Sequence, residues 1–478
     1  MKNFKKVLFM LAVVIALVMS SCSSHTHKHY IPGDSKAVGK IDLKEFFKQS
    51  NIDHEKLFKD IADAFGDSVS FDNSGLDLSE PMYMFANGKG IKLNMGMIVK
   101  VDDRKKAKAW VNDKFKIDIN KENDGFEYSA MNTLAVGIND DVLVLLNVIE
   151  GDETDAKKAL REIMNKDSKV DIDDNELFKK MDDTESFACL YTDMSIIPEE
   201  IMSASGLNDN VKSRVDDFRK TILGIDATFN DGICDFELWA KSNNENVQKK
   251  IDEMKESFKN VSEKAALIMP DDAPFGFAIN FNGKKYAEYL EKLLKEIGIY
   301  EFPTAQSLVG FLSKINGNMV GFGDTSMVPN PIGVSTMINT GNGYIKYNGN
   351  MYCLIEGEDL TNEIADFIGG NDGSVSFVKS DDGYNYNNEF WFGYKDGAMW
   401  FTAQQEMAGK TFEKAKNPIS ANLVSFIKDH CFVQYTNMKV IKKHIDISMQ
   451  GVSAKDKKKV YAFSEFYDKT QYITISVK

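Results

Sequence analysis

The sequence predicts an α+β protein built from two tandem, internally similar halves, each an antiparallel sheet with packed helices. Three observations predict this class. Short alternating apolar runs joined by Asn-Asp and Asp-Gly turns recur along the chain and are typical of β-hairpins. Runs with apolar residues three and four positions apart stand between the hairpins and indicate helices. Apolar residues form 43% of the 478 residues, which is enough for a packed core.

Four short segments recur in the same order in the two halves. They are 31–43 with 269–281, 135–144 with 391–400, 190–194 with 434–438, and 228–238 with 465–475. Because the order is kept and the offset stays between 237 and 256 residues, the pattern predicts a repeat. We place the first half at 31–266 and the second at 267–478.

Apolar periodicity assigns each element in chain order. The strands predicted in the first half are 37–41, 81–85, 93–101, 126–128, 134–138, 142–147, 186–191, 224–229 and 233–241. Those of the second half are 275–281, 319–322, 332–337, 351–355, 390–394, 399–402, 431–435, 460–466 and 471–477. The predicted helices are 43–49, 54–65, 103–113, 156–164, 175–181, 210–223, 244–268, 283–297, 305–315, 362–368, 406–415 and 421–428.

The first 21 residues are typical of a lipoprotein signal peptide. Three lysines precede an apolar run at 7–19, and two serines lead into Cys22. The run is shorter than the ~20 residues that a membrane-spanning helix needs. We therefore expect Cys22 to carry the lipid, palmitate among its acyl chains, and residues 22–30 to form a tether. The alternative is an ordinary signal that is cleaved nearby, with an incidental cysteine.

The charge balance argues against nucleic acid as a partner. The net charge is −14, and only four of the 58 basic residues are arginine. Nucleic-acid binding needs a cationic surface and favours arginine for its bidentate contacts. Anionic headgroups would also repel the chain, so we expect the N-terminal lipid to provide the membrane attachment.

Four further cysteines, Cys189, Cys234, Cys353 and Cys431, lie in runs that look like strands. Disulfides are permitted outside the cytoplasm, and four cysteines allow three complete pairings. No C-x-x-C motif is present, which argues against a redox or zinc-ribbon site. We expect buried free thiols that pack as small apolar groups.

No catalytic motif or cofactor fingerprint is present, so we predict no catalytic residue, no metal ligand and no cofactor. Three weaker patterns have plainer interpretations. The histidines at 25, 27 and 29 could bind a metal weakly, but they also suit a solvated tether. The acidic run at 171–175 has the initial spacing of a calcium loop, but it suits a helix cap better. Two S-x-x-K strings, 376–379 and 425–428, lack the companion motifs of serine acyltransfer enzymes.

Aromatic residues cluster on the predicted hairpin at 390–401. The equivalent hairpin of the first half carries Val, Ile and Leu, so the fold does not require aromatic residues there. Trp391, Tyr394 and Trp400 are therefore our candidate binding surface for a protein or a sugar ring. The alternative is that these side chains belong to the core.

The export signal with Cys22, the Ile31-Pro32-x-Asp34 start and the paired hairpins resemble a family of Bacteroidota cell-envelope lipoproteins that is catalogued as a domain of unknown function. This resemblance implies the cell envelope and supplies no catalytic residues. Serines rather than acidic residues follow Cys22, which favours the outer membrane facing the periplasm. We expect a non-enzymatic binding or scaffolding protein. The alternative is a glycosidase-like hydrolase that uses distant Asp and Glu carboxylates.

Overall fold

The structure is a computed structural model of the chain. It describes residues 26–65, 74–89, 91–123, 125–166, 171–199, 209–323, 351–369, 378–380, 383–386, 390–449 and 452–478. The signal peptide, Cys22, the first residues of the tether and the strand predicted at 332–337 lie outside the described residues. Within them, no helix has the length and apolar character needed to cross a bilayer.

Nineteen strands and fifteen α-helices are described. The strands are β1 Ala37–Ile41, β2 Met82–Lys89, β3 Lys92–Lys100, β4 Lys121–Asn123, β5 Phe126–Met131, β6 Leu134–Ile138, β7 Val142–Ile149, β8 Ala188–Asp193, β9 Thr221–Asn230, β10 Ile233–Ser242, β11 Phe275–Asn282, β12 Ile315–Gly323, β13 Met351–Gly357, β14 Val378–Ser380, β15 Gly383–Tyr386, β16 Phe390–Lys395, β17 Ala398–Thr402, β18 Phe432–Asn437 and β19 Tyr472–Val477. The helices are α1 Leu43–Ser50, α2 His54–Phe65, α3 Arg104–Phe115, α4 Glu153–Met164, α5 Glu176–Asp182, α6 Asp209–Arg219, α7 Glu245–Lys255, α8 Glu263–Ala266, α9 Gly283–Glu296, α10 Pro303–Ser313, α11 Thr361–Gly369, α12 Ala421–Lys428, α13 Met438–Ser448, α14 Ala454–Tyr461 and α15 Ser464–Lys469.

The chain forms two compact units, and the α+β class is confirmed. Unit 1 contains the residues up to Asn230 together with Trp239–Val247 and Ser453–Lys469. Unit 2 contains Asp231–Leu238, Gln248–Val452 and Thr470–Lys478. The predicted halves each cover most of one unit, but a single boundary at 266/267 does not separate them. The reason is that α14 and α15 belong to unit 1, whereas the first part of β10 pairs with β19 in unit 2.

Unit 1 has an antiparallel sheet with the strand order β4-β5-β6-β7-β3-β2-β1-β8-β9. Alternate residues of a strand face opposite sides of its sheet, and both sides are covered here. On β7, Val144 joins a core under α4 and α5, whereas Leu143 joins a core under α1, α2 and α3. The sheet of unit 1 therefore lies between two layers of helices.

Local side-chain chemistry sets the turns and helix starts of unit 1. In the turn from β6 to β7, the Asn139 side chain accepts hydrogen bonds from the backbone N–H groups of Asp141 and Val142, at 2.9 and 2.8 Å. Asp42 caps α1 and Asp152 caps α4, the latter with a complete capping box. These caps satisfy backbone donors that the first helical turn leaves unpaired.

Unit 2 has a sheet with the strand order β14-β15-β16-β17-β13-β12-β11-β18-β19-β10. All neighbours are antiparallel except β10 and β19, which are parallel. Tyr352 and Leu354 of β13 enter one core, and Ile355 enters another on the opposite face. The strands β11 to β19 are thus paired in the same order as β1 to β9.

Three predicted elements are wrong, and in each case an apolar run has a different local structure. Residues 460–466, predicted as a strand, contain the end of α14, a turn at 462–463 and the start of α15. The N-cap of α14 is Ser453, which accepts from the Asp456 N–H. The proposed match of 228–238 with 465–475 therefore fails over its first residues. The predicted helix 244–268 is divided into α7 and α8, because Phe258 forms a β-bridge with Phe281. The predicted helix 406–415 is irregular beyond a short 3₁₀ turn, and α13 was not predicted.

Candidate functional site

A cavity of about 330 Å³ opens in unit 2 beside the irregular segment 404–416. This segment and the stretch 268–273 line it, together with the end of β12. Backbone hydrogen bonds join the two segments. The Ala415 N–H donates to the Leu267 carbonyl at 3.0 Å, and the Ile419 N–H donates to that of Met269 at 2.9 Å. The walls of the cavity are therefore tied to each other by main-chain contacts.

The lining combines cations with an apolar floor. Three lysines, Lys410, Lys414 and Lys416, stand with two carboxylates, Asp272 and Glu413. The lining thus carries one net positive charge in a chain whose net charge is −14. None of the three lysines forms an ion pair with another residue of the described ranges. The apolar floor includes Ile268, Ala273, Phe322 and Met407.

The cavity lies at a chain position where the two units differ. In unit 1, α4 stands between β7 and α5, and Ala156, Leu160 and Ile163 on its inner face are buried. In unit 2, the corresponding stretch between β17 and α12 contains no α-helix. Two features hold this stretch in its irregular path. Gly409 has a positive φ of 72°, and the Tyr352 hydroxyl donates to the Lys410 carbonyl at 2.6 Å.

The candidate surface of Trp391, Tyr394 and Trp400 does not form one exposed patch. Trp400 is 1% exposed and belongs to the core, and Trp391 packs against the same core. Tyr394 is 36% exposed and lies on the opposite face of β16 from Trp391, because the two are three positions apart in a strand. The core alternative therefore holds for Trp400, whereas Trp391 is half-buried against that core.

The aromatic residues of this hairpin occur in the unit that lacks a helix at the chain position of α4. In unit 1, Leu160 and Met164 of α4 lie directly over Gly137 of β6. In unit 2, which has no α-helix at that chain position, Trp400 belongs to the core, and Trp391, Met407 and Phe412 pack against that core. Aromatic side chains thus stand in the core of the unit that has no α-helix at this chain position. Sequence reasoning identified the asymmetry but missed the cavity, since its lining comes from separate segments.

The other patterns have structural roles where the structure describes them. Asn175 caps α5 by accepting from the Leu177 and Phe178 N–H groups, so the cap interpretation of the acidic run is correct. His27 is buried, with Nε2 2.7 Å from the Pro81 carbonyl oxygen, and is not part of a solvated tether. Lys428 of the second S-x-x-K string pairs with Glu263 at 3.0 Å. Ser376 of the first string lies outside the described residues.

The four cysteines at 189, 234, 353 and 431 are free, as predicted. Burial raises the pKa of Cys189 to about 11 and the pKa of Cys234 and of Cys353 to about 12. Because the thiolate is the reactive form, these groups are poor nucleophiles and suit a packing role.

Comparison with known proteins identifies a family and no characterised relative. Residues 27–476 match a family model that is described as a domain of unknown function, DUF4836. No curated protein and no solved structure shows significant similarity to the chain.

Proposed function

This chain belongs to the DUF4836 family, a domain of unknown function, and from that premise we propose that it is a non-enzymatic, lipid-anchored binding protein of the bacterial cell envelope. The cavity of unit 2 is the binding site in this proposal. The observation that carries it is the difference between the units, because the irregular segment that lines this lysine-bearing cavity takes the place in chain order of the packed helix α4 of unit 1.

The anchor and the location are supported by sequence alone. The positive start, the apolar run and the serines before Cys22 fit a lipoprotein signal. The serines that follow Cys22, in place of acidic residues, support a position on the outer membrane facing the periplasm. Several acyl chains on one cysteine hold a protein durably, since each buried CH₂ contributes ~0.8 kcal/mol. A Bacteroidota origin is part of the same proposal.

The two units are, in this proposal, copies of one ancestral unit. The common order of β1–β9 and β11–β19 supports this, as do the matched sequence segments. In such a pair, a position that keeps the sheet but loses a covering helix is free to acquire a binding role. The packed helix α4 of unit 1 would represent the unspecialised arrangement.

The lining favours a small anionic sugar or the anionic end of a glycan. Ammonium groups attract carboxylates or phosphates, and the apolar floor suits the C–H face of a sugar ring. A cavity of this size lies within the range of small-molecule sites. Asp272 and Glu413 would accept hydrogen bonds from sugar hydroxyls.

Titration calorimetry with D-glucuronate, and with D-glucose as the neutral comparison, tests the cavity. We expect glucuronate to bind and glucose to bind more weakly. The double variant Lys414→Gln/Lys416→Gln should lower the glucuronate affinity roughly tenfold, because a hydrogen bond to a charged group contributes ~1.5–3 kcal/mol. Lys443→Gln, an exposed residue of α13 outside the cavity, is the control. Equal binding by the parent and the double variant would remove the cavity from the proposal.

The hydrolase alternative predicts a different result at the same residues. If the purified protein releases reducing sugar from an acidic polysaccharide, and Asp272→Asn or Glu413→Gln abolishes the release, the protein is an enzyme. Retained binding without product supports the binding function.

The anchor has a separate test. Cys22→Ser should leave the precursor unprocessed or release the protein from the membrane fraction. Unchanged membrane association, or a mature protein without fatty acid by mass spectrometry, would contradict lipidation at Cys22.

A further inference from the structure

Asp235, Glu237 and His430 come together in unit 2, on elements that do not line the cavity. Asp235 and Glu237 are alternate residues of β10, so they face the same side of the strand. In the parallel pairing of β10 with β19, Asp235 lies beside Thr474 and Glu237 beside Ser476. His430 lies between the end of α12 and the start of β18.

The three side chains are close enough to share one ligand. A carboxylate oxygen of Asp235, one of Glu237 and a ring nitrogen of His430 all lie within 4.8 Å of one another. Asp235 is 4% exposed and His430 is 3% exposed, while the Glu237 side chain retains 29% of its surface. Two carboxylates in a largely buried group are unfavourable unless cations or donors compensate them.

The His430 ring is oriented with one nitrogen directed away from its backbone partner. Its Nδ1 lies 2.7 Å from the Phe426 carbonyl oxygen, and the ring stacks on the Phe426 ring with centroids 4.2 Å apart. A carbonyl oxygen only accepts, so Nδ1 carries the proton and donates. Nε2 is buried and has no hydrogen-bond partner in the described parts of the chain. Buried polar atoms of native proteins are nearly always paired, so this nitrogen requires a partner.

This arrangement matches the way in which proteins prepare a histidine for a metal. Metal-binding histidines usually donate their other ring N–H to a carbonyl or a carboxylate, which fixes the ring and leaves a lone pair for the ion. The carboxylate of Asp235 is fixed in a similar way. The Thr474 hydroxyl donates to its Oδ1 at 2.6 Å, and the Ser476 hydroxyl donates to its Oδ2 at 2.7 Å.

Two other groups near the cluster have partners of their own. The Lys478 ammonium pairs with Glu237 at 3.0 Å and is the cation that faces this carboxylate. The Cys431 thiol donates to the Val477 carbonyl at 3.2 Å, so it is not needed as a ligand. The hydroxyls satisfy Asp235 and the lysine satisfies Glu237, but neither explains the unpaired Nε2 of His430.

We propose that Asp235, Glu237 and His430 bind one divalent transition-metal ion, with Zn²⁺ as the best match. Zinc takes imidazole nitrogen and carboxylate oxygen at ~2.0–2.2 Å, which places neighbouring ligand atoms ~3.3–3.6 Å apart. The three ligand atoms, now within 4.8 Å of one another, would have to move closer together to reach these distances. Ca²⁺ and Mg²⁺ fit less well, because they prefer ligand sets made of oxygen alone. Water completes the tetrahedron, and the ion joins β10 to the turn between α12 and β18.

Metal titration of the purified full chain in detergent tests the site. After treatment with a chelator, Zn²⁺ is added in competition with a chromophoric chelator, and thermal unfolding is followed with and without the ion. We expect one Zn²⁺ per chain at this site and an increase in the unfolding temperature, because an ion that binds only the folded state stabilises it. His430→Gln and Glu237→Gln should each lower the affinity at least tenfold, since even a change in a supporting residue costs ~10–100-fold.

Two control variants separate this site from other histidines. His444→Gln removes a histidine of α13 that is not part of the cluster. His29→Gln removes the histidine of a second group, with Asp171 and Asp173, whose members are all exposed. Both should bind Zn²⁺ at the cluster as the parent does. If circular dichroism shows that His430→Gln is unfolded, Glu237→Gln decides the result.

Three outcomes would overturn the proposal. The parent could bind no Zn²⁺, both cluster variants could bind as tightly as the parent, or His29→Gln alone could lose the ion. Co²⁺ provides an independent readout, because its visible absorption reports the ligands directly. A tetrahedral Co²⁺ spectrum that disappears in His430→Gln supports the proposed ligand set.

Discussion

At the scale of single residues, the Asp226 carboxylate of unit 1 accepts hydrogen bonds from several side chains. The Tyr191 hydroxyl and the Trp239 indole N–H each donate to its carboxylate at 2.6 Å, and the Ser186 hydroxyl donates at 3.2 Å. The Lys180 ammonium lies over the Trp239 ring, 3.1 Å from the ring centroid. Tyr191 is fully buried, so loss of its hydrogen bond to Asp226 would leave a polar group poorly satisfied in the core.

We expect Asp226→Asn to lower the free energy of unfolding by ~1–3 kcal/mol, because the new amide presents a donor where Tyr191 and Trp239 also donate. Urea denaturation measures the change. Asp140→Asn is the matched control, since the Asp140 side chain is 90% exposed and should change stability by less than ~0.5 kcal/mol. Equal effects of the two substitutions would show that the Asp226 hydrogen bonds contribute little.

At the scale of elements, close packing of α9 depends on the absence of a side chain at its first residue. A Cβ on Gly283 would lie 2.0 Å from the Leu312 carbonyl oxygen and 2.1 Å from that of Ile315. These carbonyls belong to the end of α10 and the start of β12, and backbone cannot move aside as a flexible side chain can. Gly310, inside α10, has open space where a Cβ would be.

The two glycines should therefore respond to alanine with opposite signs. Gly283→Ala is expected to destabilise by ~1–3 kcal/mol through overpacking. Gly310→Ala is expected to stabilise by ~0.5–1 kcal/mol, because alanine loses less conformational freedom in a helix. Chemical denaturation of both variants under one set of conditions is the measurement. A destabilised Gly310→Ala would indicate that α10 is covered at this point.

At the scale of the whole molecule, buried acids that are neutral in the folded state make stability depend on alkaline pH. Burial raises the pKa of the four thiols above the ordinary value of 9.0, to between about 11 and 12 for three of them. Burial also raises the pKa of Tyr83, Tyr191, Tyr352 and Tyr435. These residues are spread over both units, so both units should lose stability at alkaline pH.

The free energy of unfolding should fall as the pH rises above about 9. The unfolded state loses thiol protons there while the folded state keeps them, so each thiol contributes up to ~1.4 kcal/mol per pH unit. Urea denaturation between pH 7.5 and 10.5 in the presence of reductant measures this slope. Cys234→Ala should make the slope shallower, and a slope unchanged in this variant would contradict the assignment.

The sequence alone determined which stretches form hairpins and most helices, because turn chemistry, caps and apolar periodicity are local properties. The turn at Asn139 and the caps at Asp42 and Asn175 depend on residues within four positions of one another. Burial of Cys189, Cys234 and Cys431 also followed from local pattern, since each was predicted in a strand-like run, whereas Cys353 is only partly buried. The failures, such as 460–466 and 406–415, occurred where short apolar runs suit more than one local structure.

Only the tertiary structure decided what these elements bring together. The side of β17 that carries Trp400 is core, as is the matching side of β7 that carries Val144, and this burial depends on what packs over the sheet, which no local pattern records. The cavity combines segments near residues 270, 322 and 410, and the cluster of Asp235 with His430 joins positions far apart in the chain. Alternation encodes whether a side chain points to one face of a strand or the other, but strand order determines its neighbours.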